Sequence, residues 1–213
     1  YLIRNKKKRN EIQKKNYIDF IYTHKYISKQ IDSIRDDIIN PYQPKIVELK
    51  NDTKLKILHI TNLNERYDGR LHYNTGRRIN NGLIKLGHNV LTLSDRDFVN
   101  RSKSITDIYG TKSLNKKIIN IFKTFKPNLI ILGHADGVSK QTLLTIKKID
   151  KNVKLTQWFL DPVTKYGPDY AKNRKRILHK SKLVNCTFVT THPSAINFKI
   201  KNPQFLPNPC DES

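Results

Sequence analysis

The stretch "GHADG", residues 133–137, follows the apolar run "NLIIL" and sets an imidazole, His134, two positions before a carboxylate, Asp136. A histidine titrates near neutral pH and can take a proton from a hydroxyl, while a nearby carboxylate can orient or assist it. The flanking Gly133 and Gly137 permit close backbone approach. The same pair serves equally well to hydrogen-bond an opposing loop. A third candidate, Asp161 in "FLDPV", precedes a proline that holds it extended, so its carboxylate projects from the end of an apolar run. It fits a catalytic role or a turn role. His192 precedes Pro193 in the same way, and there the turn role leads over substrate contact. Upstream, "NLNERYDGRLHYNTGRR" carries Asp68, Arg70 and His72, candidates for gripping a polar substrate. Arg77 and Arg78 follow at the start of a helix, where free N–H groups and the helix dipole favour an anion. Ordinary surface charge explains those two arginines as readily.

Other motifs exclude more than they suggest. No G-x-G-x-x-G follows the first strand and no G-K-[ST] loop occurs, which lowers dehydrogenase and NTPase readings. Asp95 and Asp97 in "LSDRDFV" form a D-x-D string that could hold a divalent metal against a nucleotide diphosphate. Capping of the following turn is the favoured reading, and no metal or other cofactor is expected.

These residues need a scaffold that brings them to one edge. From Lys54 the pattern alternates: "LKILHIT", "NVLTLS", "NLIILG", "VKLTQWF" and "CTFVTT" read as strands, with "QFLP" closing. Between them lie helical patterns. One starts at Thr75 as N-cap, buries Ile79, Leu83 and Leu86, and stops at Gly87. A second carries Leu114, Ile118, Ile121, Phe122 and Phe125 and ends at Pro127. A third is capped by Ser139 and carries Leu143, Ile146 and Ile149, and a basic helix spans 171–183. Residues 98–112 are polar and irregular, with room for a short third strand. This alternation predicts an α/β fold with a doubly wound parallel sheet. Ligands of such sheets sit beyond the carboxyl ends of the strands where strand order reverses, here between "KILHIT" and "NLIILG".

Residues 1–50 are a basic helical extension, and 54–213 the Rossmann-like domain. "YLIRNKKKRNEIQKKN" has seven basic residues and one acid, and reads as a solvated helix with a peripheral contact to anionic lipid as its alternative. Phe20, His24, Ile27, Ile31, Ile34 and Ile38 form a narrow apolar seam closed by Pro41 and Pro44. It packs back on the protein or, less favoured, on a second copy.

The net charge is +23, from 41 Lys and Arg against 18 Asp and Glu. Lysine outnumbers arginine 30 to 11, and Ile (26) and Asn (21) are abundant, the profile of an AT-rich coding bias that scatters lysine over solvated faces. No aromatic residues interleave with a basic stripe, so no specific nucleic-acid partner is expected. Cys186 and Cys210 make neither a disulfide framework nor a metal site, which suits a reducing cytoplasm. The longest apolar runs fall far below the roughly 20 residues of a membrane span. The lack of methionine and the ending "LPNPCDES" read as a piece of a longer chain.

Taken in order, "KILHIT" with its loop, "GRRINNGLIKLGHNV", "PNLIILGHADG", "QWFLDPV" and "NCTFVTTHPSAINFKIKNPQFLPNPCDES" resemble the N-terminal half of a GT-B glycosyltransferase, of the spore-maturation CgeB-like group within the broad family 1/4 set. The resemblance covers residues 54–213 and rests on order and spacing rather than on a single specific motif. It implies a domain that binds a glycan or lipid-linked acceptor, with a nucleotide-sugar donor bound mainly by a second, C-terminal domain missing from this chain. It implies sugar transfer in cell-surface or polysaccharide synthesis, in the cytoplasm or at the inner face of the membrane. The alternatives are a non-catalytic α/β scaffold module tethered to a membrane or partner, and a metal-dependent GT-A-like transferase using Asp95 and Asp97.

Overall fold

The structure, a computed structural model, describes residues 6–15, 29, 31 and 53–207. The chain divides into two compact units, Tyr1–Asn51 and Asp52–Ser213. In the first, helix α1 covers residues 6–15, and every one of those residues is exposed. Residues 29 and 31 are also helical, and Ile31 is exposed. The other seam positions, Phe20, His24, Ile27, Ile34 and Ile38, lie outside the described residues, as do Pro41, Pro44 and Cys210.

The second unit is an α/β domain. Its strands are β1 (Lys56–Thr61), β2 (Asn89–Ser94), β3 (Leu129–Gly133), β4 (Lys154–Phe159), β5 (Cys186–Val189) and β6 (Pro203–Phe205). Its helices are α2 (Thr75–Lys85), α3 (Asp95–Arg101), α4 (Thr111–Phe125), α5 (Lys140–Ile149) and α6 (Tyr170–Ser181). All strand pairs are parallel, in the order β2-β1-β3-β4-β5-β6. The chain therefore steps outward from β1 to β2 and returns across β1 to β3, so the order reverses between β1 and β3 as the sequence pattern predicts. The register puts Thr61 opposite both Ser94 and Gly133, and Gly133 opposite Trp158. The carboxyl ends of four strands thus finish at one level, which is where a ligand-binding crevice forms.

One face of the sheet presents Leu58, Ile60, Ile130, Leu132 and Leu155 to Leu114, Ile118 and Phe122 of α4 and to Leu143 and Ile146 of α5, all of them buried. On the other face Ile57, Ile131 and Trp158 form a cluster against which Ile79 and Leu83 of α2 pack. The strands β1 and β3 are covered on both faces, which accounts for their nearly continuous apolar runs.

Four expectations change in detail. Residues 98–112 hold no third strand: α3 occupies the start, and an isolated antiparallel bridge between Ser104 and Asp107 follows. The N-cap of α2 is Asn74, not Thr75. Its Oδ1 accepts from the Arg77 amide at 3.0 Å while Nδ2 donates to the carbonyls of Leu63 (2.9 Å) and Leu71 (3.0 Å), a double grip that a threonine hydroxyl cannot make. Leu86 is exposed, because it falls past the last helical turn where the chain reverses. Gly87 takes φ +81° there, with His88 donating back to the Leu83 carbonyl, so the glycine stop is real. Ile149 at the end of α5 is also exposed. No helix among the described residues is long and apolar enough to cross a membrane.

Candidate functional site

The chain leaves β3 through an unusual turn. His134 and Ala135 both adopt positive φ, 60° and 34°, although neither is glycine. Left-handed backbone costs a residue with a Cβ on the order of 1–2 kcal/mol, so something must hold the turn. Two side chains of α6 do so. Lys180, only 3% exposed, donates from Nζ to the carbonyls of His134 (3.3 Å) and Ala135 (2.5 Å). Arg176, one helical turn earlier, donates to both oxygens of Asp136 (Nε–Oδ1 3.2 Å, Nη2–Oδ2 2.7 Å) and to Asp161 (Nη1–Oδ2 2.8 Å). Its Nη2 also lies 2.9 Å from Nδ1 of His134. Positions i and i+4 share a helix face, which lets one helix clamp the turn at two points.

His134, Asp136 and Asp161, picked out separately in the sequence, are therefore joined through one guanidinium. The imidazole stacks on Phe159 (centroids 4.6 Å apart, 9° between planes) and its Nε2 accepts from the Leu160 amide at 3.3 Å. Burial, with the Arg176 charge opposing the help of Asp161, lowers its pKa to about 4. The expected base of near-neutral pKa is thus not His134 in this state. Burial alone would raise Asp136, but the bonds and charge of Arg176 hold its carboxyl below the ordinary range. Lys180 is pushed down to about 8 by desolvation, against the pull of Asp136 and Asp95.

Asp95 behaves differently. It is 2% exposed, its Oδ1 has no hydrogen-bond partner, and desolvation raises its pKa to about 6. Its neighbour in the D-x-D string has another task. Asp97 accepts from the amides of Glu65 (2.9 Å) and Arg66 (3.4 Å), from Nη1 of Arg66 (3.0 Å) and from the Ser94 hydroxyl. Those four bonds use the acceptor capacity of the carboxylate, so Asp97 anchors the β1–α2 loop. No group of three metal-ligating side chains occurs among the described residues.

Two cavities flank Arg96, whose Nη2 lies 3.4 Å from Asp136. The larger, about 470 Å³, is bordered by Arg66, Asp95, Lys103, Thr111 and Asp136. The smaller, about 190 Å³, lies at the β1/β3 reversal. Asn62, Asn64, Asn74, Thr75, His134 and Trp158 border it. Glycine is required at Gly133, where a Cβ would stand 2.2 Å from the Trp158 ring. Beneath the smaller cavity Trp158 Nε1 donates to Nε2 of His59 at 3.3 Å, and the other ring nitrogen faces Asn80 Oδ1 at 3.3 Å. Burial lowers His59 to about 4 and keeps it neutral, and the Trp158 donor at Nε2 leaves the hydrogen on Nδ1, facing Asn80.

The remaining candidates stand apart from this cluster. Asp68, Arg70 and His72 are exposed on successive turns of the β1–α2 loop and border neither cavity. Arg66, Asn62 and Asn64 from the same loop do. Arg77 and Arg78 lie half-buried in the first turn of α2, also off both cavities. His192 accepts from the Ser194 amide at 3.3 Å and caps the short 3-10 turn Pro193–Ala195, the turn role favoured for it.

No protein-family model and no curated protein matches the chain. The site must therefore be read from its own chemistry.

Sequence reasoning missed Arg176, Lys180, Trp158 and the three asparagines. A signal for the α6 pair exists. Asn173, Ile177, Lys180 and Ser181 are the buried residues of α6, spaced along one helical stripe, and only one of them is apolar. A helix with so little apolar surface must bury polar groups, and buried polar groups require partners.

Proposed function

We propose that this chain is the acceptor-side, Rossmann-like domain of a glycosyltransferase. It transfers a sugar from a nucleotide-sugar donor to a cell-surface or polysaccharide acceptor. The observation that carries the reading is the lining of the groove at the strand reversal. In place of a glycine-rich phosphate turn it offers the side-chain amides of Asn62, Asn64 and Asn74, the hydroxyl of Thr75 and the ring of Trp158. Amides and hydroxyls pair with sugar hydroxyls, and an aromatic ring covers the apolar face of a pyranose. In this reading the donor is held mainly by a further domain of the same enzyme, which acts in the cytoplasm, peripheral to the membrane.

In the transfer step the anomeric carbon's bond to the nucleotide phosphate breaks as its bond to the acceptor oxygen forms. The hydroxyl proton passes to a base, and the nucleoside diphosphate leaves. Asp95 is the described acid raised toward neutrality, and it borders the larger cavity, so it is the proton acceptor in this proposal. His134 and Asp136, fixed by Arg176, orient the acceptor.

Ligand-observed NMR on the intact chain tests the reading. Neutral oligosaccharides and polyols should show saturation transfer that Asn62→Ala and Asn74→Ala weaken, with only feeble transfer to uridine or guanosine diphosphate. Tight nucleotide-diphosphate binding with no carbohydrate contact would overturn it.

A further inference from the structure

The loop between α3 and α4 carries three large apolar side chains into solvent: Ile105 is 98% exposed, Ile108 70% and Tyr109 76%. This is not a slack segment. Ser104 and Asp107 exchange two backbone hydrogen bonds of 3.1 Å each, and the Gly110 amide donates to the Asp107 carbonyl at 2.9 Å. The Asp107 carboxylate is buried and accepts from the Ser113 amide at 2.7 Å, which fastens the loop to the first turn of α4. Gly110, at φ +64°, packs so closely that a Cβ there would meet the Val99 carbonyl at 2.2 Å. A tight turn with a braced root that points its isoleucines outward has been built to present them.

The charge along the loop is one-sided, although Arg101 at its start pairs with Glu65. Asp107 is the sole acid between Asp97 and Asp136, and it faces inward, whereas Arg101, Lys103, Lys112 and Lys116 are exposed. Protein–protein interface cores are depleted in lysine. Apolar and tyrosine side chains ringed by lysine are instead the composition of segments that lie in the headgroup region of anionic bilayers.

We propose that the α3–α4 loop is a membrane-docking prong, with Ile105, Ile108 and Tyr109 entering an anionic lipid surface while Lys103 and Lys112 contact its headgroups. Lys103 and Thr111 also border the larger cavity, so docking holds that cavity against the bilayer. The inference does not depend on the glycosyltransferase reading. It is distinct from any contact made by the basic residues 6–15.

Co-sedimentation of the full chain with phosphatidylcholine vesicles, with and without one third phosphatidylglycerol, tests it. Wild type should bind the anionic vesicles. The Ile105→Ser/Tyr109→Ser double variant should bind about a hundredfold more weakly, about tenfold per apolar side chain withdrawn, at an unchanged thermal midpoint. Trp158 is the chain's single tryptophan and is buried. An Ile105→Trp variant should therefore add an emission band that shifts to the blue only when anionic vesicles are added. Three results each overturn the proposal. One is no vesicle binding, and another is equal binding by wild type and the double variant. The third is self-association of the wild type, seen by sedimentation velocity, that the double variant abolishes.

Discussion

Replacing Lys180 by methionine tests the idea that one buried cation holds the strained turn in place. The ammonium is 3% exposed, and its pKa falls from 10.5 to about 8, chiefly by desolvation. That difference corresponds to about 3 kcal/mol against the charged form at neutral pH. Offsetting it are two hydrogen bonds from a charged donor to the carbonyls of His134 and Ala135, each contributing about 1.5–3 kcal/mol. Lys180→Met removes both effects, so at pH 7 the variant should be less stable by about 2 kcal/mol.

The pH dependence is the sharper signature. Below pH 8 both folded and unfolded chains carry the proton, and the burial cost is fully present. Between pH 8 and 10.5 the unfolded chain keeps a proton that the folded chain has released, so stability rises with pH. The methionine variant has no such term. Urea unfolding of both proteins from pH 7 to 10.5 should show the gap between them widening by about 3 kcal/mol. A gap that stays constant with pH would refute the claim that a charged Lys180 is buried against the turn.

His59, lowered from 6.5 to about 4 by burial, makes the opposite demand at acid pH. Its contribution is intact above pH 6.5 and is lost as pH falls toward 4, so wild type should lose about 2–3 kcal/mol between pH 7 and 4.5 from this residue, and His59→Gln should flatten that part of the urea-midpoint profile. Gly133→Ala forces a Cβ to 2.2 Å from the Trp158 ring and 2.6 Å from the Thr61 hydroxyl. Calorimetry should show a loss of about 2 kcal/mol or more, and an unchanged thermal midpoint would mean that the ring has room to move.

The sheet was legible because its signals are local and redundant. The central strands β1 and β3 are short apolar runs, and each of α2, α4 and α5 repeats apolar residues at helical spacing. Even the position of the strand-order reversal followed, since the alternating pattern implies it. The cluster was half legible. His134, Asp136 and Asp161 stand out because each lies at the end of a strand, but the residue that joins them, Arg176, lies 40 positions beyond Asp136 on a helix that reads only as basic. Charge at one position carries no information on which distant carboxylate it meets. Which residues of the charged β1–α2 loop reach the cavities was not legible, for a related reason. Asp68, Arg70 and His72 stand out by type, yet the loop turns them to solvent and offers Arg66, Asn62 and Asn64 to the cavities instead. What sets that choice is the Asp97 carboxylate, 32 residues from Glu65, gripping the two amides at the loop's start.

The wiring of Arg176 also bears on how His134 could act. The imidazole is neutral here because it is buried and because the Arg176 charge stands beside Nδ1, while Nε2 accepts from the Leu160 amide. Arg176 stays there because Asp136 and Asp161 hold it, and Asp161 Oδ2 itself lies 3.9 Å from Nδ1 of His134. Without the guanidinium beside it, Nδ1 would face the Asp161 carboxylate alone. A carboxylate neighbour raises a histidine's proton affinity where an arginine lowers it. Arg176→Gln should therefore make His134 more basic, read as a raised imidazole pKa by NMR titration, and a pKa unchanged from the wild type would refute the coupling.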